Sequence, residues 1–157
     1  MRLEKAISLM EQFESCTLPK EQWTHKAHFI MALWYCIHHP LPQAIQKIRN
    51  GIKKYNVSVG GENTDSAGYH ETITLLYTST IAHYVITTGI TTLTDEYLAD
   101  FLAQPFLAPD YPLQFYSKEL IMSKEARLGW IAPDLTPDGT RLTPPDGSKY
   151  SSSHSNK

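Results

Sequence analysis

FIMALWYCI, residues 29–37, is the most apolar stretch of the chain and decides the fold. It contains no charged residue and would be apolar on nearly every side of a helix, which is typical of a helix in the middle of a domain. We expect this helix to begin near Pro19 or Lys20, to run to about Ile37 and to end before Pro40 and Pro42. The stretch is far shorter than the roughly 20 apolar residues of a membrane-spanning helix, so we expect a soluble protein that does not bind membranes.

Segments on either side of this stretch carry apolar stripes at helical spacing. One stripe runs from Leu3 to Phe13 and another from Leu41 to Tyr55, each opposite a polar face. Thr94 precedes Asp95 and Glu96 in the pattern of a helix N-cap, and residues 115–130 predict one or two short helices, the last capped by Ser123. The sequence therefore predicts an all-α protein, a single helical bundle of about five main helices.

Residues 69–88 fit two interpretations. Ile73, Leu75 and Tyr77 alternate with polar residues as in a strand, and many β-branched residues favour one. Other apolar residues in the same segment recur at intervals of three and four, and some twenty residues pass without a turn signal, which is long for a strand. We predict a helix that ends at Gly89 with a left-handed cap.

Composition indicates one globular domain and no specialised partner. The 157 residues are 41% hydrophobic and 19% charged, with a net charge of −2, which argues against a nucleic-acid-binding protein. The N-terminus lacks the pattern of a secretory signal, so we expect a cytoplasmic protein. Cys16 and Cys36 are expected to be reduced. We predict a helical domain over residues 1–135 and a flexible tail over residues 136–157, where Pro, Gly, Ser and Thr dominate.

Two histidine clusters are the candidates for chemistry: WTHKAH, residues 23–28, and GYHE, residues 68–71. His25 and His28 lie three residues apart, so on a helix their rings share one face. If the two helices are neighbours, His70 can join them at one end of the bundle, where helix bundles often hold ligands. We expect these three histidines to bind a divalent metal ion, Zn, Fe, Mn or Ni.

The residues beside these histidines leave several roles open. Glu71 follows His70 directly and points about 100° away from it on a helix, so it could be a general base, a residue that orients a ligand, a partner of the helix dipole or a ligand itself. Trp23 and Tyr69 each border a histidine cluster and could line a pocket. A histidine pair at this spacing is, however, more often a hydrogen-bonded pair than a metal site.

Several motifs occur in an order that resembles a family of small uncharacterised bacterial proteins. They are WTHKAH at residues 23–28, NT at 63–64 leading to GYHET at 68–72, FYSKE at 115–119, and SKEARLGW at 123–130 followed by PD at 133–134. The resemblance covers about residues 10–135. It implies that these motifs belong together, and it adds Tyr116, Ser117 and Arg127 as possible neighbours of the site. It implies no activity and no substrate.

The leading hypothesis from the sequence is a metal-binding pocket formed by His25, His28 and His70, with Glu71 as the base of a hydrolytic reaction if the protein is an enzyme. The alternative is a non-catalytic module in which the same histidines and aromatic residues hydrogen-bond a small anionic or aromatic molecule without a metal. Both hypotheses predict a small-molecule ligand. Neither predicts the oligomeric state.

Overall fold

The computed structural model describes residues 1–135, and this part of the chain forms a helical bundle without strands. The all-α prediction is confirmed. The α-helices are α1 (Leu3–Glu14), α2 (His25–His38), α3 (Leu41–Ser58), α4 (Glu71–Thr88), α5 (Asp95–Leu102), α6 (Lys118–Ile121) and α7 (Lys124–Leu128), with 3₁₀ turns at Lys20–Gln22, Pro105–Leu107 and Tyr111–Gln114. The predicted tail, residues 136–157, lies outside the described residues.

Helix α2 occupies the centre of the bundle, as its apolar sequence predicts. It packs against α4, α3 and α1, and eight of its residues are buried: Ala27, Phe29, Ile30, Met31, Ala32, Leu33, Tyr35 and Cys36. No helix within residues 1–135 is long and apolar enough to cross a membrane. Both cysteines are free, in agreement with the prediction.

The start of α2 differs from the prediction. The helix does not begin at Pro19 or Lys20, because a short 3₁₀ turn, Lys20–Gln22, comes first and Trp23 leaves the helical conformation. The true N-cap is Thr24, whose side chain accepts a hydrogen bond from the Ala27 N–H at 3.2 Å. His25 is consequently the first residue of α2, and the histidine pair lies in its first turn.

The ambiguous segment is a helix, α4. The imidazole of His70 caps its N-terminus and Gly89 ends it with φ of +67°, the left-handed conformation that glycine adopts without strain. Its β-branched residues are accommodated because much of α4 is buried between α2, α3 and α7. The first turns of α2 and α4 border one groove, which His28, Ile73 and Thr74 help to line.

The two short helices α6 and α7 close one side of the bundle over α4. Ser117 and Ser123 cap them, since their hydroxyl oxygens accept hydrogen bonds from Leu120 N–H and Ala126 N–H, which confirms the predicted cap at Ser123. Tyr116 and Trp130 flank these helices and pack, with Ile121, against Ile45, Leu75 and Leu76 in a second hydrophobic cluster. The C-terminal third of the domain is thereby fixed to α3 and α4.

Candidate functional site

The three histidines of the sequence motifs have different environments. His25 is exposed, and its Nε2 lies 2.7 Å from the backbone oxygen of Leu107. A carbonyl oxygen can only accept, so Nε2 carries the proton and Nδ1 is unprotonated in the neutral ring. The ring also meets Phe29 edge-on at 4.8 Å between centroids. His25 therefore connects the start of α2 to the 3₁₀ turn at Pro105–Leu107.

His28 is half-buried, and its ring is held by one hydrogen bond and by stacking on a second ring. Its Nδ1–H donates to the backbone oxygen of Thr24 at 2.7 Å, and its ring stacks on Trp23 with centroids 3.8 Å apart. Burial lowers the pKa of His28 below its usual value, although the hydrogen bond to Thr24 opposes this shift. The neutral ring keeps an unprotonated Nε2, for which residues 1–135 supply no hydrogen-bond partner.

His70 uses both of its ring nitrogens within the protein. Nδ1 accepts from the Ile73 N–H at 3.1 Å, which caps α4, and Nε2–H donates to the backbone oxygen of Ile121 at 2.6 Å. The side chain is buried, and this burial lowers its pKa, an effect that the bond to Ile121 opposes. A neutral His70 thus ties the start of α4 to the end of α6.

Glu71 lies in a charged cluster beside His70. Arg49 Nε and Nη2 donate to its two carboxylate oxygens at 3.0 and 2.6 Å, and the Tyr69 hydroxyl donates at 2.6 Å. Burial and the nearby carboxylate raise the pKa of Tyr69, so its hydroxyl stays protonated and donates. The two hydrogen bonds from Arg49 and the one from Tyr69 hold the Glu71 carboxylate in place at the start of α4.

The remaining predicted site residues, Trp23, Tyr69, Tyr116 and Arg127, have separate surroundings. Trp23 stacks on His28 and on Phe13, and Tyr69 is buried beside Glu71. Tyr116 is fully buried, with its hydroxyl bonded to Ile131 O at 2.5 Å, and is part of the core. Arg127 donates from Nη1 to Gly68 O at 2.7 Å. Tyr116 thus lies apart from the residues that line clefts.

The structure does not place the three imidazoles as one metal-ligand set. Within residues 1–135, no group of three or more His, Cys, Asp or Glu side chains is arranged so that it could hold a metal ion. A metal ligand must offer an unprotonated nitrogen, and the unprotonated Nδ1 of His70 would have to give up the hydrogen bond that it accepts from Ile73 N–H to do so. The three-histidine metal site stays a prediction.

His25 and His28 instead line a pocket between α2, α3 and α4. Its volume is about 190 Å³ and most of its wall is apolar. The lining residues are His25, His28, Phe29, Met31, Ala32, Ile48, Ile52, Ile73, Thr74, Tyr77, Thr78 and Ile81. Phe29 and Tyr77 meet edge to face at 4.7 Å, so one wall of the pocket is aromatic.

A wider groove of about 600 Å³ lies on the other side of His28. It shares four lining residues with the pocket, namely His28, Ile52, Ile73 and Thr74, and it extends past Trp23, Tyr69 and His70. His28 therefore lies between the apolar pocket and the open groove, and Trp23, which stacks on it, lines the groove. We call the first the apolar pocket and the second the outer groove.

The α4 side of the apolar pocket is the part that sequence reasoning missed. Ile73, Tyr77 and Ile81 recur every four residues on α4, accompanied by Thr74 and Thr78. The two threonines on an otherwise apolar helical face are the signal that could have indicated a pocket rather than solid core. Tyr77 is half-buried, and its hydroxyl lies 3.3 Å from Ala108 O.

No protein-family model matches the chain, and neither curated proteins nor solved structures show a significant match. The family resemblance therefore stays a prediction.

Proposed function

We propose that the protein binds a small aromatic molecule in the apolar pocket, with a hydrogen bond from the ligand to His28 Nε2 and without a metal ion. The observation that carries the proposal is a half-buried, neutral imidazole with one unpartnered acceptor nitrogen in the wall of a mostly apolar pocket. Ligand sites typically combine such a wall with a few polar groups that orient the ligand.

Size and shape support an aromatic ligand. An apolar cavity of about 150 Å³ is large enough to hold benzene, and the pocket here has about 190 Å³. The edges of Phe29 and Tyr77 offer the edge-to-face contacts that aromatic rings prefer. A ring that carries one hydroxyl or N–H group matches both the wall and the acceptor.

The bonding of the other polar residues favours binding over catalysis. Glu71, the candidate base, is held by Arg49 and Tyr69 and is absent from the pocket wall. His70 has no unprotonated nitrogen left to offer to a ligand. The proposal consequently assigns no reaction to the chain, and Glu71 and His70 stabilise the fold at the end of the site.

Phenol and toluene test the proposal because they differ only in the donor group. Calorimetric titration of the full chain should show that phenol binds more tightly than toluene, by about fivefold or more, since one hydrogen bond contributes about 1 kcal/mol. His28→Leu keeps the volume but removes the acceptor, so it should abolish the preference. His38→Leu, at the far end of α2, is the matched control and should retain it.

The same titrations separate this proposal from the metal hypothesis. Phenol binding should be the same in EDTA and in added zinc, because no metal takes part. If neither aromatic compound binds, or if the phenol preference survives in His28→Leu, the proposal is wrong. Zinc bound by the wild type and lost in His25→Ala, His28→Ala and His70→Ala would support the metal hypothesis instead.

A further inference from the structure

A separate polar cleft lies on the opposite side of Tyr69 from the outer groove. Its volume is about 170 Å³, and three cationic side chains line it together with one carboxylate and two uncharged polar residues. They are Arg49, Lys53, Arg127, Glu71, Asn63 and Thr64. The cleft brings together α3, the start of α4 and α7, so its wall comes from three elements of the fold.

The positive charges in this cleft are only partly neutralised. Arg49 and Glu71 form a bidentate ion pair at 2.6 Å. Lys53 and Arg127 have no carboxylate within ion-pair distance among residues 1–135. The lining side chains therefore leave an excess of two positive charges in a chain whose net charge is −2, and a cleft with low-dielectric walls concentrates such a field.

Both unneutralised cations are held in position. Arg127 donates from Nη1 to Gly68 O at 2.7 Å, and its Nε and Nη2 have no acceptor within the described chain. Lys53 Nζ lies over the Tyr69 ring, 5.1 Å from its centroid. The Tyr69 hydroxyl in turn donates to Glu71, which fixes the ring. The cleft thus offers an oriented guanidinium and an ammonium group.

We propose that this cleft binds a small oxyanion, a phosphate or carboxylate group, between Arg127 and Lys53. Arginine donates two parallel N–H bonds to such groups, and lysine adds a compact point charge. Glu71 does not compete for the site, because Arg49 and Tyr69 already occupy both of its oxygens. The proposal is independent of the apolar pocket, which shares no lining residue with the cleft.

Thermal unfolding of the full chain tests the proposal with two probes, inorganic phosphate and acetate. At least one of them should raise the melting temperature saturably, beyond the effect of sodium chloride at equal ionic strength. A rise with phosphate alone or with acetate alone identifies the preferred oxyanion. Absence of a saturable rise with either probe overturns the proposal.

Two neighbouring lysines supply the matched variants. Lys53→Gln removes a charge from the cleft and should weaken anion binding at least about threefold, whereas Lys54→Gln removes the same charge from α3 outside the cleft and should leave it unchanged. Arg127→Gln should weaken binding further, measured by titration of the folded protein because the Gly68 contact is also lost. Equal weakening in Lys53→Gln and Lys54→Gln would mean non-specific charge attraction and would overturn the proposal.

Discussion

His70 should contribute more to stability than any other histidine within residues 1–135, because its ring makes two hydrogen bonds. His70→Ala removes the acceptor for Ile73 N–H, and loss of an N-cap costs about 1 kcal/mol. It also leaves the backbone oxygen of Ile121 without its donor in a buried position, which costs about 1 to 3 kcal/mol. The free energy of unfolding should fall by about 2 to 4 kcal/mol.

A second substitution separates the two contacts. Asparagine is among the best N-cap residues but is too short to reach Ile121, so His70→Asn should retain the cap and lose only the connection to α6. Its stability should lie about 1 kcal/mol above that of His70→Ala. His83→Ala is the control, because His83 is exposed on the same helix and surface substitutions usually change stability by less than about 0.5 kcal/mol.

Chemical denaturation in urea, followed by circular dichroism, measures these differences. The corresponding drop in melting temperature for His70→Ala is about 5 to 15 °C for a domain of this size. If His70→Ala is as stable as His83→Ala, the two hydrogen bonds do not stabilise the fold and the structural role of His70 is refuted. A stable His70→Ala variant that has lost bound metal would favour a ligand role.

The two hydrogen bonds of His70 also make the free energy of unfolding depend on pH. Capping requires an unprotonated Nδ1, and burial lowers the pKa of His70 in the folded protein below the value of about 6.5 in the unfolded chain. The contribution is therefore complete above about pH 6.5 and is lost as the pH falls through the folded-state pKa. Burial also lowers the pKa of His28, so its contribution to stability is likewise lost as the pH falls. His70→Asn should reduce the slope of unfolding free energy against pH below 6.5.

Two further substitutions, at Glu71 and Gly68, test the surroundings of the site, and a third, at Gly89, is the control for Gly68. Glu71→Gln breaks the charged, two-bonded contact with Arg49 and should cost about 2 to 4 kcal/mol in urea denaturation; a cost below about 0.5 kcal/mol would contradict a stabilising role for the pair. Gly68→Ala should cost more than about 3 kcal/mol, because φ is +81° and the new Cβ would lie 1.9 Å from Glu62 O. Gly89→Ala, at φ of +67° with open space around the new Cβ, should cost only about 1 to 2 kcal/mol. Similar losses in the two glycine variants would show that the contact with Glu62 has no effect.

Much of the fold could be predicted because local sequence chemistry determines it. The apolar stretch of α2, the N-caps Thr94 and Ser123 and the left-handed cap at Gly89 all depend on residues within a few positions of each other. The first turn of α2 could not be predicted in this way. Pro19 and Thr24 both suit a helix start, and the short 3₁₀ turn between them is stabilised by Trp23 stacking on Phe13, ten residues away.

The candidate site was less predictable because the protonation of His25 and of His70 depends on distant residues, whereas His28 bonds to Thr24, four residues away. His25 bonds to Leu107 and His70 bonds to Ile121, partners that lie 82 and 51 residues away along the chain. No local pattern indicates which nitrogen of each ring they occupy. The sequence located the histidines at the two helix starts, but their available lone pairs follow only from the packed structure.

The fold determines which imidazole nitrogens remain available to a ligand. Of the three imidazoles, His70 has both nitrogens occupied, His25 is exposed and bonds through Nε2 alone, and His28 keeps an unprotonated Nε2 on a half-buried ring in the pocket wall. A metal ion would need several such nitrogens together with further ligands. A phenol or indole needs a single acceptor beside an apolar wall, and that is the combination which His28, Phe29 and Tyr77 provide.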